Sequence, residues 1–175
     1  MKTIGSIGKW VVPGLSVLWL LSLVMLYGGY TITVKTDSGP EPGVLVAIGL
    51  YYNAFGAGDT AQKLVFAGQG VTGQDGSVRF PRKLAFRPFM DSGWSSWLAY
   101  WETRPLLIAY KPGFSFIETR LAEEKIFLID RLNTKAERLS SFRNFNVRDE
   151  VLSRSAILQK MLTQEHDFLF PKKEN

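Results

Sequence analysis

The chain has no cysteine and a single histidine, His166, in 175 residues. Without cysteine there are no disulfides, no thiolate metal sites and no thiol nucleophile, and a lipoprotein-type lipid attachment is excluded as well. One imidazole, flanked by Glu165 and Asp167 near the C-terminus, rules out a metal site of two or three histidines, and a serine triad would have to use this remote residue. Long runs of one charge sign are also missing. Lysine and arginine exceed the acidic residues to give a formal charge of +5, but Arg79, Arg82, Lys83, Arg87, Arg104, Lys111 and Arg120 are scattered, which is the pattern of a solvated surface and not of a nucleic-acid face. The remaining acid–base route is a carboxylate pair; Glu102 and Asp91 border an aromatic segment as a glycosidase requires, with nothing to set their separation. The expectation is a non-catalytic protein with no cofactor, no metal and no nucleic-acid partner.

What is present begins with an apolar run over residues 11–27 that carries no charge and follows Lys2, Lys9 and Trp10. It reads as a membrane-targeting segment. Signal peptides place small residues first and third before the cut, whereas Leu26 or Tyr27 stands third before Gly28 or Gly29, so residues 1–29 are expected to stay attached as an anchor. Trp10, Tyr27 and Tyr30 resemble interfacial aromatic belts, and Pro13 fits a first helical turn. Both lysines precede the run, so the positive-inside rule directs the remainder across the membrane. The expected location is a bacterial inner membrane, single-pass through residues 11–27, with the C-terminal part in the periplasm; the alternative is a cleaved segment and a periplasmic or secreted protein.

From Tyr30 the apolar period becomes two, and 175 residues suffice for the core of one domain. Ile32 and Val34 alternate with threonines. Residues 44–51 are apolar on both faces, as in a central strand. A loop is predicted over residues 53–61, then a strand over 63–71 in which Gly68 and Gly70 mark a bulge or a close backbone approach. Asp75-Gly76 predicts a hairpin turn into residues 77–80, and Pro112-Gly113 a type II turn between residues 106–110 and 114–119. A last strand, apolar on both faces, is predicted over 125–132. Gly68-Gln69-Gly70-Val71-Thr72-Gly73 has the letters of a dinucleotide fingerprint, but a strand follows where the phosphate-binding helix should open.

Three segments, Pro42-Gly43-Val44-Leu45-Val46, Val71-Thr72-Gly73-Gln74-Asp75-Gly76-Ser77-Val78-Arg79-Phe80 and Pro105-Leu106-Leu107-Ile108-Ala109-Tyr110-Lys111-Pro112-Gly113-Phe114, resemble in order the signatures of bacterial carboxypeptidase-regulatory-like domains. The resemblance spans residues 30–132. It implies a transthyretin-like, Ig-like antiparallel sandwich of about seven strands, used as an accessory or interaction domain of envelope proteins, with no catalytic residues to transfer.

Residues 86–104 form an aromatic insertion too long for a turn. Phe89, Trp94, Trp97, Tyr100 and Trp101 are the candidate recognition surface, for an envelope protein partner or, alternatively, for a glycan, as in a carbohydrate-binding module; the other reading is a lid over the core. A short helix would align Trp94, Trp97 and Trp101 on one face. Residues 133–175 read as a helical tail. A shorter helix falls between Thr134 and Arg143. A longer one is capped by Asn146, with Val147, Val151, Leu158, Met161 and Leu162 on one face interrupted by Arg154, expected to cover the strand of Phe127 and Ile129.

Overall fold

The computed structural model describes residues 13–14, 16–21, 23–55, 60–86, 98–121, 125–145 and 149–171. It is mainly β. The strands in chain order are β1 (Val24–Tyr27), β2 (Tyr30–Thr36), β3 (Gly39–Pro40), β4 (Leu45–Phe55), β5 (Thr60–Val71), β6 (Ser77–Phe80), β7 (Lys83–Phe86), β8 (Leu98–Trp101), β9 (Leu106–Tyr110), β10 (Ile117–Arg120) and β11 (Ile126–Leu128). Helices α1 (Lys135–Arg143), α2 (Asp149–Leu152) and α3 (Ala156–Leu169) follow, and residues 13–14 and 16–21 near the N-terminus are also helical.

β4 organises the molecule because both its faces are apolar. It lies between β5 and β9 in a sheet of order β10-β9-β4-β5, with β8 pairing β4 beyond the end of β9. Val44, Val46 and Ile48 face a second sheet, of order β11-β2-β3 with β6 also on β2. There they share a core with Ile32, Val34, Phe80, Leu107, Ala109 and Ile129. Leu45, Ala47 and Tyr51 face the opposite way, into a second core with Leu106, Ile108, Tyr110 and the helical residues Val151 and Leu158. The molecule is thus two facing sheets with a helical layer behind one of them. All strand pairs are antiparallel except β11, which runs parallel to β2.

The expected loop over residues 53–61 is shorter than the alternation implied: β4 continues to Phe55 and β5 starts at Thr60. Ile48 opposes Gly68 while Gly49 opposes Phe66, so Ala67 is an extra residue and the predicted bulge is present. Gly70 provides the close approach, since a Cβ there would stand 2.5 Å from Val78 Cγ2 on the facing sheet.

Asp75-Gly76 is a tight turn, with Gly76 at φ 67° and the Asp75 carboxylate accepting from the Ser77 N–H at 3.0 Å. It does not close a hairpin. β5 belongs to one sheet, and β6 pairs with β2 in the other. The turn residues fix the reversal, but the partner is set elsewhere: Thr72 is tied to Glu41, Gly43 and Val44 at the entrance of β4 while Gly76 O accepts from Val34 N–H, so the chain crosses between layers. The Ser77 hydroxyl and N–H hold the Asp75 carboxyl below its usual value. A depressed carboxyl favours folding above its unfolded pKa, and this contribution is lost as pH falls through the lower, folded value. Pro112-Gly113, by contrast, closes a hairpin: Phe114 N–H donates to Lys111 O at 3.1 Å, Gly113 has φ 82°, and β9 pairs with β10.

The apolar run over residues 11–27 is not one helix. Its last four residues form β1, which pairs antiparallel with β7 from Val24 opposite Phe86 to Tyr27 opposite Lys83. The register is that of β2 with β6, so β1–β7 is the same two-stranded ladder continued past Gly28-Gly29 and Pro81-Arg82. Pro81 has no N–H to donate, which interrupts the ladder there. The inner face of this ribbon, Met25, Tyr27 and Ala85, packs with Leu50, Ala67 and Trp101 over the half of β4 that β2 does not reach, and the Tyr27 hydroxyl donates to the carbonyl of the bulged Ala67. Packing of every second residue favours a strand over a helix here. Among the described residues no helix is long and apolar enough to cross a membrane.

The tail helices cover a different face from the one expected. Val151, Leu158, Met161 and Leu162 pack on the β4 and β9 face, not on Phe127 and Ile129, which lie in the core between the sheets. The long helix is broken into α2 and α3, with Arg154 at the break and Ser155 capping α3 through Leu158 N–H at 3.1 Å; Asn146 and Val147 lie outside the described residues. α1 carries a complete capping box, Thr134 with Glu137. Glu165 of α3 is buried and accepts from Arg138 Nε at 2.7 Å, Arg138 Nη2 at 2.6 Å and Gly113 N–H at 3.1 Å, which ties α1 and α3 to the β9–β10 turn. Arg138 also lies over the Phe168 ring at 3.6 Å.

Beside this pair the Tyr110 hydroxyl is buried with no hydrogen-bond partner among the described residues, and burial, with the Glu165 carboxylate adding to it, raises the phenol so that it stays protonated. The Tyr27 and Tyr110 hydroxyls therefore respond differently to removal. Tyr27→Phe is expected to cost about 1 kcal/mol and to leave the Ala67 carbonyl without its donor, whereas Tyr110→Phe costs nothing or stabilises slightly. Urea unfolding of the two variants checks the contrast.

Candidate functional site

β4 carries polar residues where the helices stop. Beyond Tyr51, on the helix-side face, come Asn53 of β4, Gln62 opposite it on β5 and Tyr100 opposite it on β8. β10 ends at Arg120, whose guanidinium lies 3.9 Å from the Tyr51 ring centroid. Glu102, just after β8, accepts from Arg120 Nη1 at 2.7 Å, from the Gln62 amide and, at a longer 3.4 Å, from the Asn53 amide. Arg120 also reaches the Arg104 carbonyl at 3.4 Å. Four residues from four parts of the chain, Asn53, Gln62, Glu102 and Arg120, thus form a polar shelf of fixed donors and acceptors, with the Tyr100 ring standing exposed beside it.

The shelf splits the candidate aromatic surface. Trp101 points to the other face of the sheet, half-buried, with its ring 5.3 Å from that of Tyr52 and packed with Tyr27, Leu50 and Ala85. Tyr100, on the opposite face, is 51% exposed. Leu98–Trp101 is a strand, so Trp101 does not stand on a helix. Phe89, Trp94 and Trp97 lie outside the described residues, as does Asp91, the carboxylate paired with Glu102 in the glycosidase reading. Glu102 itself is paired with Arg120.

Asn53, Gln62 and Arg120 were not legible as site residues, because they are separate polar positions on strands otherwise read for their apolar alternation. The one available signal was Asn53 following the apolar residues 44–52. His166 lies on an exposed face of α3, 3.6 Å from Asp167. Among the described residues no group of three His, Asp or Glu side chains is disposed to hold a metal ion. No protein-family model, curated protein or solved structure matches the chain.

Proposed function

We propose that the protein is a non-catalytic, membrane-associated recognition domain of the bacterial envelope, held at the inner membrane by its N-terminal apolar segment, with its sheets on the periplasmic side and a protein as partner. The observation that carries the recognition reading is the polar shelf: Glu102, Arg120, Gln62 and Asn53 hold one another in place next to an exposed aromatic ring, so hydrogen-bonding groups are pre-arranged at low entropic cost. Membrane attachment is supported by Val17, Leu18, Leu20 and Leu21, helical residues that are all more than half exposed and so have no protein core to enter. The lysines before the segment support the orientation. The transthyretin-like sandwich reading is supported by the two facing sheets and by the order of the three motifs.

A second reading, glycan binding, is favoured by the chemistry of the shelf: an exposed tyrosine ring for a sugar face beside amides, a carboxylate and a guanidinium for hydroxyl groups. Affinity capture from detergent-solubilised membranes, run in parallel with binding to cell-wall glycan fragments, separates the two. Tyr100→Ala is expected to weaken the relevant interaction about tenfold or more while stability stays within about 0.5 kcal/mol. Unchanged binding to both kinds of target would remove the shelf from the recognition surface.

A further inference from the structure

The ribbon β1–β7 has two faces of opposite use. Met25, Tyr27 and Ala85 enter the core, and the alternate residues, Val24, Leu26, Leu84 and Phe86, form the outer face. Leu26, Leu84 and Phe86 are 60%, 57% and 62% exposed. A two-stranded ribbon apolar on its outer face is unusual for a surface in water, where the alternation normally turns polar.

Two further observations say what meets it. First, the ribbon begins at Val24, and helix lies only as far back as Leu21, with Leu23 in a turn whose N–H donates to Leu20 O at 3.1 Å. At about 3.5 Å per residue, no more than roughly 10 Å of chain separates the exposed apolar helix from the ribbon. Wherever that helix meets lipid, the ribbon is at the lipid boundary. Second, the stretches that supply the ribbon carry no acidic residue: residues 1–36 and 76–90, bounded by Asp37, Asp75 and Asp91, contain Lys2, Lys9, Lys35, Arg79, Arg82, Lys83 and Arg87. Arg79 and Arg82, beside the ribbon, are exposed, whereas Lys83, opposite Tyr27, belongs to the other face.

We infer that the outer face of the β1–β7 ribbon docks on the surface of an anionic phospholipid bilayer, with Leu26, Leu84 and Phe86 entering the headgroup boundary and Arg79 and Arg82 meeting lipid phosphates. This inference rests on the membrane reading above and adds a second contact to it. Apolar side chains flanked by cations suit an anionic lipid interface. The docked ribbon fixes how the domain stands on the membrane, because β1–β7 keeps the register of the β2–β6 ladder.

The absence of cysteine makes the test direct. Full-length L84C and, as a second site, F86C are labelled with an environment-sensitive fluorophore, with Q164C on an exposed position of α3 as reference, and each is reconstituted into vesicles of phosphatidylcholine with or without phosphatidylglycerol. Circular dichroism and the unfolding midpoint establish that each is folded. With phosphatidylglycerol present, the labels at 84 and 86 are expected to be quenched by spin-labelled lipid at least about threefold more than the label at 164, and R79Q/R82Q to reduce that quenching. Labels at 84 and 86 as open to aqueous iodide as the one at 164, in protein that does associate with vesicles, would overturn the ribbon inference and leave the membrane reading standing. Shielding from iodide without quenching by lipid would show a protein on this face and overturn it equally. Failure of the full chain to associate with any vesicle would overturn both.

Discussion

Replacing Arg138 by methionine is expected to lower stability by about 3–5 kcal/mol, the largest effect of any single change considered for this protein. Glu165 is almost completely buried and takes two of its three hydrogen bonds from the Arg138 guanidinium. Gly113 N–H would remain as its partner, and one amide does not offset the cost of an ionised carboxylate held away from water. The loss is specific to the unpaired charge: Arg138→Met with Glu165→Leu should recover most of it, because an apolar pair of similar volume removes the desolvation cost along with the attraction. Urea unfolding of the two single variants and the double variant gives the coupling directly. If Arg138→Met alone shifted stability by less than about 1 kcal/mol, the pair would not be holding α1 and α3 on the sheet.

Gly76→Val is expected to cost about 3 kcal/mol or more, from two separable causes. The residue sits at φ 67°, where a β-branched side chain is strained, and a Cβ would lie 2.6 Å from Val34 O and 2.9 Å from Glu41 N. Gly39→Ala is the control. It also has a positive φ, 129°, but a Cβ there meets nothing within 4 Å, so only the conformational part should appear, about 1 kcal/mol. Similar losses in the two variants would mean that the crossing between sheets is looser at Gly76 than its contacts imply.

Much of the β framework was legible in residue order. Ile32 and Val34, the two apolar faces of β4, and the turns at Asp75-Gly76 and Pro112-Gly113 each follow from side-chain period or from the φ that glycine and proline allow. The shorter helix before Arg143 was legible too, and its start at Thr134 is explained by the capping box with Glu137. The same kind of reasoning overextended the N-terminal helix, since Val24, Met25, Leu26 and Tyr27 are apolar whether they enter lipid or a ribbon. The choice was made by Leu50, Ala67, Ala85 and Trp101, which lie far away in the chain. The aromatic insertion was read as one unit, although β-pairing turns Tyr100 and Trp101 to opposite faces of the sheet.

From the sequence alone came the mainly β character, the central strand, the reversals of the chain and the exclusion of cysteine and multi-histidine chemistry, because each depends on a residue's own geometry or on its nearest neighbours. Tertiary structure alone decided that β6 pairs with β2 instead of β5, that β1 leaves the apolar helix to continue that ladder, and that Asn53, Gln62, Glu102 and Arg120 meet in one shelf. Strand partners and buried charge pairs are settled by contacts between residues distant in the chain, and a local period of two is satisfied equally well by any strand with a matching apolar face.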